Sequence, residues 1–523
     1  MNWHKDNTTL LHHPEGSLRR RDILRGLIGG SAFLALSPYG VRQAEAHRNH
    51  ADLPETMTEA AKLIRNGKVS VTELTKMYLD AAKQFEPTLN AFITLTEEEA
   101  LDRAADLDKE VRRGDIRGPL HGIPVVYKDN FDTKGILTTM GSQFYSTRVA
   151  KKDAVAVSKL RDAGAVMLGK ANMNEFAAGV AGFNKFYGNA VNPWDVTHWP
   201  GGSSSGTGVS IAAGLCLGGL GTDTGVSVRG PSSWLGLVGL RPSYGRVSVR
   251  GTFPRAYSFD TVWPMAHTVN DAALLLNAIA GYDPKDPYAV RAPDNDEDFT
   301  KDLKRGVRGL RLGIVDNFTF TNINSEVAQA VQAEVDKFDR LGAEIKHVQI
   351  PLFSDTTRAD RINARYPLTI LLYEFNQILG ATYDAAPDKN FFGTVVQNNI
   401  RDGKLITQAT YDATVQKRPS QIAEIRKVFQ QVDAFLTPTH AFVAPGLDVN
   451  AEGDVNVRQF TVPVSFTGFP AISIPCGFSS GGLPIGLQIV ANDFQESLLF
   501  RIAAAFEDAT NFSEQHPPLY SNS

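Results

Sequence analysis

Ten of the thirty residues from Gly201 to Gly230 are glycine, and Ser203 to Ser205 on one side and Ser227, Ser232 and Ser233 on the other bracket a small-residue run. Glycine is costly inside regular structure and is used where backbone turns left-handed or approaches another group closely. The stretch Gly201–Ser233 therefore predicts two tight turns joined by a short buried helix over Val209 to Leu217, each turn presenting backbone N–H groups. Such turns suit an anion or an oxyanion. Nothing else in the chain is like it.

Around this stretch the pattern alternates. Helical periodicity runs from Pro54 to Glu86, with Ser70 and Glu73 spaced as a capping box, and again over Glu97–Arg113. An apolar strand leads into Lys128. A helix over Ala154–Ala163 and a strand over Val166–Leu168 follow, and Asn172–Gly179 reads as a turn entering a helix. Strand Leu310–Val315, helix Ser325–Leu341 and strand Glu344–Ile350 argue for α/β layering. Helix Pro419–Val432, strands Ala434–Thr437, Ala471–Pro475 and Leu487–Val490, and helix Glu496–Asp508 close the chain. The aromatics of Ser354–Ile406 read as packing. No internal repeat or low-complexity linker interrupts the sequence, so one large domain is expected.

With 523 residues, 42% hydrophobic and 21% charged, the composition is that of an ordinary globular protein. A net charge of −4 without long runs of one sign gives no footprint for nucleic acid. Cys216 and Cys476 lack metal-ligand spacing and read as small buried hydrophobes. At the N-terminus Arg19–Arg21 precede an uncharged run from Gly26 to Leu36, too short to span a bilayer, and Ala44-Glu45-Ala46 offers a small-x-small cleavage site. Arg20-Arg21-Asp22-Ile23-Leu24-Arg25 resembles the bacterial twin-arginine pattern, with Arg19 where Ser or Thr is usual. Residues 1–46 are thus expected to be an export signal, 47–523 the folded domain, and the protein periplasmic or secreted without stable membrane insertion.

Three chemistries compete for the glycine-rich stretch. Gly202-Ser203-Ser204-Ser205-Gly206 satisfies the G-x-S-x-G elbow with Ser204 as nucleophile, but the Pro/Trp-rich segment Trp194–Pro200 before it is no central strand. A phosphate loop would need Gly-Lys-Ser/Thr after the glycines. His121, His198, His267 and His440 are isolated and offer no metal cluster. Lys128, at the end of an apolar strand, is a candidate base if burial lowers its pKa, although burial statistics favour a surface charge for an isolated Lys.

Taken together, Lys128 after a strand, Gly201-Gly202-Ser203-Ser204, and Gly221-Thr222-Asp223-Thr224-Gly225-Val226-Ser227-Val228-Arg229 resemble the amidase signature family, including the 24-residue separation of Ser203 from Ser227. Gly122-Ile-Pro-x-x-x-Lys-Asp-Asn, Asn192-Pro-Trp, Gly239-Leu-Arg-Pro, Gly468-Phe-Pro-Ala-Ile-Ser-Ile-Pro and Gly482-Leu-Pro-Ile-Gly-Leu-Gln extend the resemblance over roughly Leu53 to Asp508.

The resemblance implies an α/β fold with a central twisted mixed sheet covered on both sides by helices, and hydrolysis of a carboxamide, or of a carbamate or ester, without metal or cofactor. It implies a Ser-Ser-Lys triad: Ser227 as nucleophile, Ser203 in a cis peptide with Gly202 as proton relay, and Lys128 as base. The N–H groups of Thr224, Gly225, Val226 and Ser227 would form the oxyanion hole, with Asp223, Arg229 and Ser204 behind them. Met173, Phe176 and Val226 are the candidate substrate pocket. The alternatives are an A-type amidotransferase subunit working with partner chains, or a non-catalytic receptor on the same fold. A small-molecule amide is the expected partner, with room for a homodimer. Val226 departs from the family, which most often has glycine there; a β-branched residue requires negative φ at that position. Ser205 also stands where glycine is common.

Overall fold

The computed structural model describes residues 53–289, 292–293, 297–354, 365–450 and 456–518. The segment read as an export signal lies outside the described residues. The rest forms a single domain around one eleven-stranded sheet. Its strands are β1 Phe92–Leu95, β2 Pro124–Lys128, β3 Val166–Ala171, β4 Gly218–Asp223, β5 Val238–Arg241, β6 Thr261–Ala266, β7 Arg311–Val315, β8 Glu344–Val348, β9 Ala434–Pro438, β10 Ala471–Phe478 and β11 Pro484–Ala491. The order across the sheet is β1-β3-β2-β4-β6-β5-β10-β11-β9-β7-β8. Four pairings are parallel, β2 with β3 and β4, and β7 with β8 and β9; the others are antiparallel, so the sheet is mixed as expected.

Every residue of β2, β4, β5, β6, β9 and β11 is buried. Successive side chains of a strand point to opposite faces, so both faces of the central sheet are covered. Helices Ser205–Ala212 and Arg229–Trp234 pack over the centre, the first against β4 and the second against β5, β10 and β11.

The segment Gly218–Asp223 is a central strand rather than the turn its glycines predict. The reason is close approach: a Cβ on Gly219 would sit 2.6 Å from the Val126 carbonyl oxygen and 3.0 Å from Thr207 Cγ2, and one on Gly221 would sit 2.7 Å from Ser204 Oγ. Missing side chains let the helix Ser205–Ala212 lie directly on β4. That helix begins four residues earlier than expected and ends before Leu217. Other expectations also shift. Asn172–Gly179 contains only a 3₁₀ turn, because Phe176 and Ala177 take left-handed angles, φ 49° and 56°. The helix expected from Pro419 begins at Gln408 and carries Pro419 in its interior. Strands β1 and β6 lack a clear sequence pattern; β1 is only four residues long, and β6 contains Pro264.

Candidate active site

Lys128 is the last residue of β2 and is fully buried. Because β2 runs parallel to β4 with Tyr127 opposite Leu220, its side chain meets the C-terminal end of β4. Its Nζ lies 2.7 Å from Ser203 Oγ and 2.8 Å from Thr222 Oγ1. Asn130 Nδ2 donates to the same Thr222 oxygen at 3.1 Å. Burial pulls the Lys128 pKa down to about 7, against the opposing pull of the Asp223 and Asp260 carboxylates. No carboxylate among the described residues lies within ion-pair distance of it.

A second buried lysine shows what a structural one looks like. Lys170 on β3 sits 3.2 Å from the Asp129 carboxylate and donates to the Phe131 carbonyl and to Thr138 Oγ1. Asp129 in turn accepts the Thr139 N–H at 2.8 Å. This pair pins the loop directly after Lys128.

Ser203 stands in the first turn, and the Gly202–Ser203 peptide is cis. Its carbonyl accepts the Asn174 N–H at 3.3 Å, and the neighbouring Ser204 N–H donates to the Ser227 carbonyl at 3.1 Å, tying the two serine turns together. The Ser204 hydroxyl is held between the backbone N–H and C=O of Thr222, 3.4 and 3.3 Å away. That fixes Ser204 as support for β4 and leaves the elbow reading without a free hydroxyl. Ser205 donates to the Asn172 carbonyl at 3.4 Å, a role its glycine counterpart could not fill.

The second turn leaves β4 at Asp223 and enters the helix Arg229–Trp234. Asp223 accepts the N–H groups of Val228 and Arg229 at 3.1 and 3.4 Å, and pairs with the guanidinium groups of Arg229 and Arg241 at 3.3 and 3.6 Å. All three side chains are buried. Burial opposes ionisation of Asp223, yet the two arginines hold its carboxyl below the usual range. Arg229 also donates to the Gly225 carbonyl, Gln488 Oε1 and Ser465 Oγ at 3.1, 2.7 and 2.6 Å. The turn is thus clamped through its carbonyls and its ends.

Clamping leaves the N–H groups of Thr224, Gly225, Val226 and Ser227 without an acceptor among the described residues. Four consecutive free donors beside a serine hydroxyl form a cradle for developing negative charge. Val226 takes no left-handed angle, as its β-branch requires. Thr224 anchors the cradle from outside, donating to the Asp260 carboxylate at 2.6 Å. Burial pushes that carboxyl up to about 6.

The three candidate pocket residues do not form one wall. Phe176 packs with Met140, Phe375 and Phe392, so the aromatics of the 365–404 region serve as packing, with Phe176 among them. Val226 belongs to a different cluster with Val180, Trp199 and Trp234. Met173 is fully buried and gives its carbonyl to Asn184 Nδ2 at 2.8 Å. A cavity of about 240 Å³ borders Thr222 and is lined by Tyr257, Asp260 and Tyr288 among others, but by none of Lys128, Ser203 and Ser227.

Thr222, Asp260, Arg241, Ser465 and Gln488 join the site without being candidates from sequence. Arg241 and Gln488 lie within the segments Gly239-Leu-Arg-Pro and Gly482-Leu-Pro-Ile-Gly-Leu-Gln, which carry a signal without a role. Thr222 lies within Gly221-Thr222-Asp223, likewise a signal without a role, whereas Asp260 and Ser465 have no local signal.

A family model described as Amidase matches residues 73–500. The A-type subunit of the glutamyl-tRNA(Gln) amidotransferase of Prochlorococcus marinus (strain NATL2A) is 35% identical over 482 residues, 88% of this chain and 99% of the relative. Among solved structures, the native peptide amidase of Stenotrophomonas maltophilia superposes with a TM-score of 0.76 at 29% identity, over 88% of this chain and 98% of that one. The 6-aminohexanoate cyclic dimer hydrolase does so with a TM-score of 0.80 at 26% identity, over 89% and 98%. The chain belongs to the amidase signature family, and its class of reaction is hydrolysis of an amide C–N bond.

Proposed function

We propose that Ser227 attacks the substrate carbonyl, with Ser203 and Lys128 moving the proton. The observation that supports this most is Lys128 Nζ at 2.7 Å from Ser203 Oγ, in a pocket that brings the lysine pKa to about 7. A neutral amine donates to Thr222 and keeps a lone pair for the Ser203 proton. As Ser227 Oγ bonds to the carbonyl carbon, its proton passes to Ser203 Oγ and the Ser203 proton passes to Lys128. The carbonyl oxygen takes up negative charge against the free N–H groups of residues 224–227. The C–N bond then breaks, the proton returns through Ser203 to the leaving nitrogen, and water hydrolyses the resulting ester. Each oxyanion donor is worth about 3 kcal/mol in such sites.

A panel of aliphatic, aryl and peptide amides, with an ester and a carbamate, tests the reading together with a fluorophosphonate probe. Turnover and a covalent adduct on Ser227 are expected. A folded protein that forms no adduct and cleaves nothing overturns the mechanism and favours a receptor role.

Val226 sets the width of the site next to the nucleophile. Val226→Gly is expected to raise kcat/KM for bulky acyl groups about tenfold relative to small ones. An unchanged substrate profile removes the residue from specificity.

The protein is proposed to work alone in the periplasm or outside the cell. Support comes from the order of Arg20-Arg21, the apolar run and Ala44-Glu45-Ala46. No described helix is long and apolar enough to cross a membrane. The reading as one chain of a larger amidotransferase stays with the relative that bears that name. Arg20→Lys with Arg21→Lys is expected to shift the protein from the exported to the cytoplasmic fraction; unchanged fractionation, or co-purification with partner chains, favours the amidotransferase reading.

A further inference from the structure

The buried arginines of this protein are paired with carboxylates, with one exception. Arg229 and Arg241 share Asp223, and Arg246 meets Glu496 at 2.8 Å. Arg255 is 7% exposed, yet its guanidinium makes no ion pair and no hydrogen bond among the described residues, and its Nη1 is enclosed without a partner. What its charge does touch is the Phe375 ring, 3.7 Å from Cζ to the centroid. The neighbouring Asp260 carboxylate is occupied elsewhere: it accepts the Thr224 hydroxyl at 2.6 Å and the N–H groups of Arg255 and Ala256 at 2.6 and 3.0 Å. Burial pulls the Arg255 pKa down to about 9, against the Asp260 carboxylate, and Arg458 adds a second positive charge nearby. The group is still charged at neutral pH. Arginine is almost never buried unless paired, and an aromatic face replaces only part of the lost hydration, so an anion from outside the chain is the missing partner.

The position of Arg255 says which half of the substrate brings that anion. On the proposed mechanism the leaving nitrogen takes its proton from Ser203, so it departs on the flank of Ser203 and Lys128, where Thr222 and Asn130 stand behind the lysine. The loop carrying Arg255 is built onto this flank. The Asn130 carbonyl accepts the Phe253 N–H at 2.8 Å, and Phe131 bridges to Thr252. Phe253 packs on Phe176 with ring centroids 5.3 Å apart, Phe176 shares its cluster with Phe375, and two residues before Phe176 the Asn174 N–H holds the Ser203 carbonyl. Through Asp260 the Arg255 N–H is also tied to Thr224, at the start of the oxyanion turn. Val226, which flanks the acyl group, belongs to the separate cluster of Trp199 and Trp234.

We infer that Arg255 receives a carboxylate carried by the leaving amine, which makes N-acyl amino acids the preferred substrates. The inference rests on the hydrolase reading and narrows it. The planar fork of a guanidinium matches a carboxylate with two parallel N–H···O bonds. In the reaction the acyl C–N bond breaks, the acyl carbon gains the oxygen of water, and the nitrogen takes its proton through Ser203. The products are a carboxylic acid and a free amino acid. An amide with a neutral leaving group would leave the buried charge unpaired, so the same site selects against primary and simple N-alkyl amides.

The test sets each N-acyl amino acid against a neutral isostere, N-acetylglycine against N-isobutylacetamide and N-benzoylglycine against N-isobutylbenzamide. The wild-type enzyme is expected to favour the carboxylate by at least about tenfold in kcat/KM in the pair whose acyl group it accepts. Arg255→Gln is expected to remove most of that ratio through KM, and Arg255→Lys to keep part of it. Arg255→Met, which preserves the apolar stem over Phe375, gives a second route should Arg255→Gln not fold. Binding is read without turnover by calorimetry on Ser227→Ala, where adding Arg255→Gln is expected to weaken N-benzoylglycine about tenfold or more. A ratio near one in wild type, or a ratio unchanged in the folded variants, overturns the assignment and leaves the hydrolase reading standing. So does a carboxylate preference confined to the acyl half, seen as glutaramate favoured over 5-methylhexanamide. Folded wild-type enzyme that cleaves none of these amides and forms no fluorophosphonate adduct overturns both.

Discussion

Ser227→Ala is expected to lower kcat/KM for every amide the enzyme cleaves by about 10⁴-fold or more, and to abolish fluorophosphonate labelling. The nucleophile is lost outright, and neither Ser203 nor water held elsewhere can form the same ester. The fold should be indifferent to the change. The Ser227 hydroxyl makes no hydrogen bond among the described residues, so the thermal midpoint is expected within about a degree or two of wild type. Ser204→Ala is the informative control, because its hydroxyl is occupied by the Thr222 backbone. It should keep the label and most of the activity. Labelling that survives in Ser227→Ala and disappears in Ser204→Ala would return the chemistry to the elbow motif.

Lys128→Met is expected to cost about 10³-fold or more in kcat, and Lys128 also governs the pH profile. The active form is the neutral amine. With a pKa brought down to about 7 by burial, the neutral fraction grows as pH rises, so kcat/KM should climb through an acid limb centred near 7 and then level off. The same shift has a thermodynamic sign. An unfolded lysine holds its proton up to about 10.4, so between about 7 and 10.4 the unfolded chain binds the extra proton and this group's contribution to stability rises with pH. Below about 7 both states carry the proton and the burial penalty is fully present. A pH–rate profile in which the acid limb persists in Lys128→Met would assign that limb to another group, and Asp260, near 6, is the one to examine.

The positions of the proposed triad stand out in the sequence because they lie in short motifs of unusual composition. The two serine turns share one stretch, and Lys128 follows a strand that the sequence marks with Val125, Val126 and Tyr127. The structure adds the contact between them, which spans 75 positions and is carried by parallel pairing of β2 and β4. The glycines of β4 mislead, since composition alone does not distinguish a turn from a strand that another element must approach closely. Asp260 and Ser465 are invisible for a related reason. Each is an ordinary polar residue whose role comes from a partner far away in the chain. The candidate pocket fails as a unit because Phe176 and Val226 are far apart in sequence and packing sends them to different clusters.

One pairing in the sheet sets the order in which the molecule can be completed. Strand β5 meets β10 through Arg241 opposite Ala471 and Gly239 opposite Ser473, a seam between segments roughly 230 positions apart. During synthesis the ribosome releases Lys128, Ser203 and Ser227 early, yet Ser465 and Gln488, which hold Arg229 and through it the oxyanion turn, emerge near the end. Until then β5 is an open edge that other chains can pair with. A nascent chain thus carries Lys128, Ser203 and Ser227 long before the turn around them is held, and on the proposed mechanism its hydrolytic activity is expected to appear late in maturation. Chains truncated before Gln488 should accumulate as insoluble, unreactive protein even though Lys128, Ser203 and Ser227 are all present.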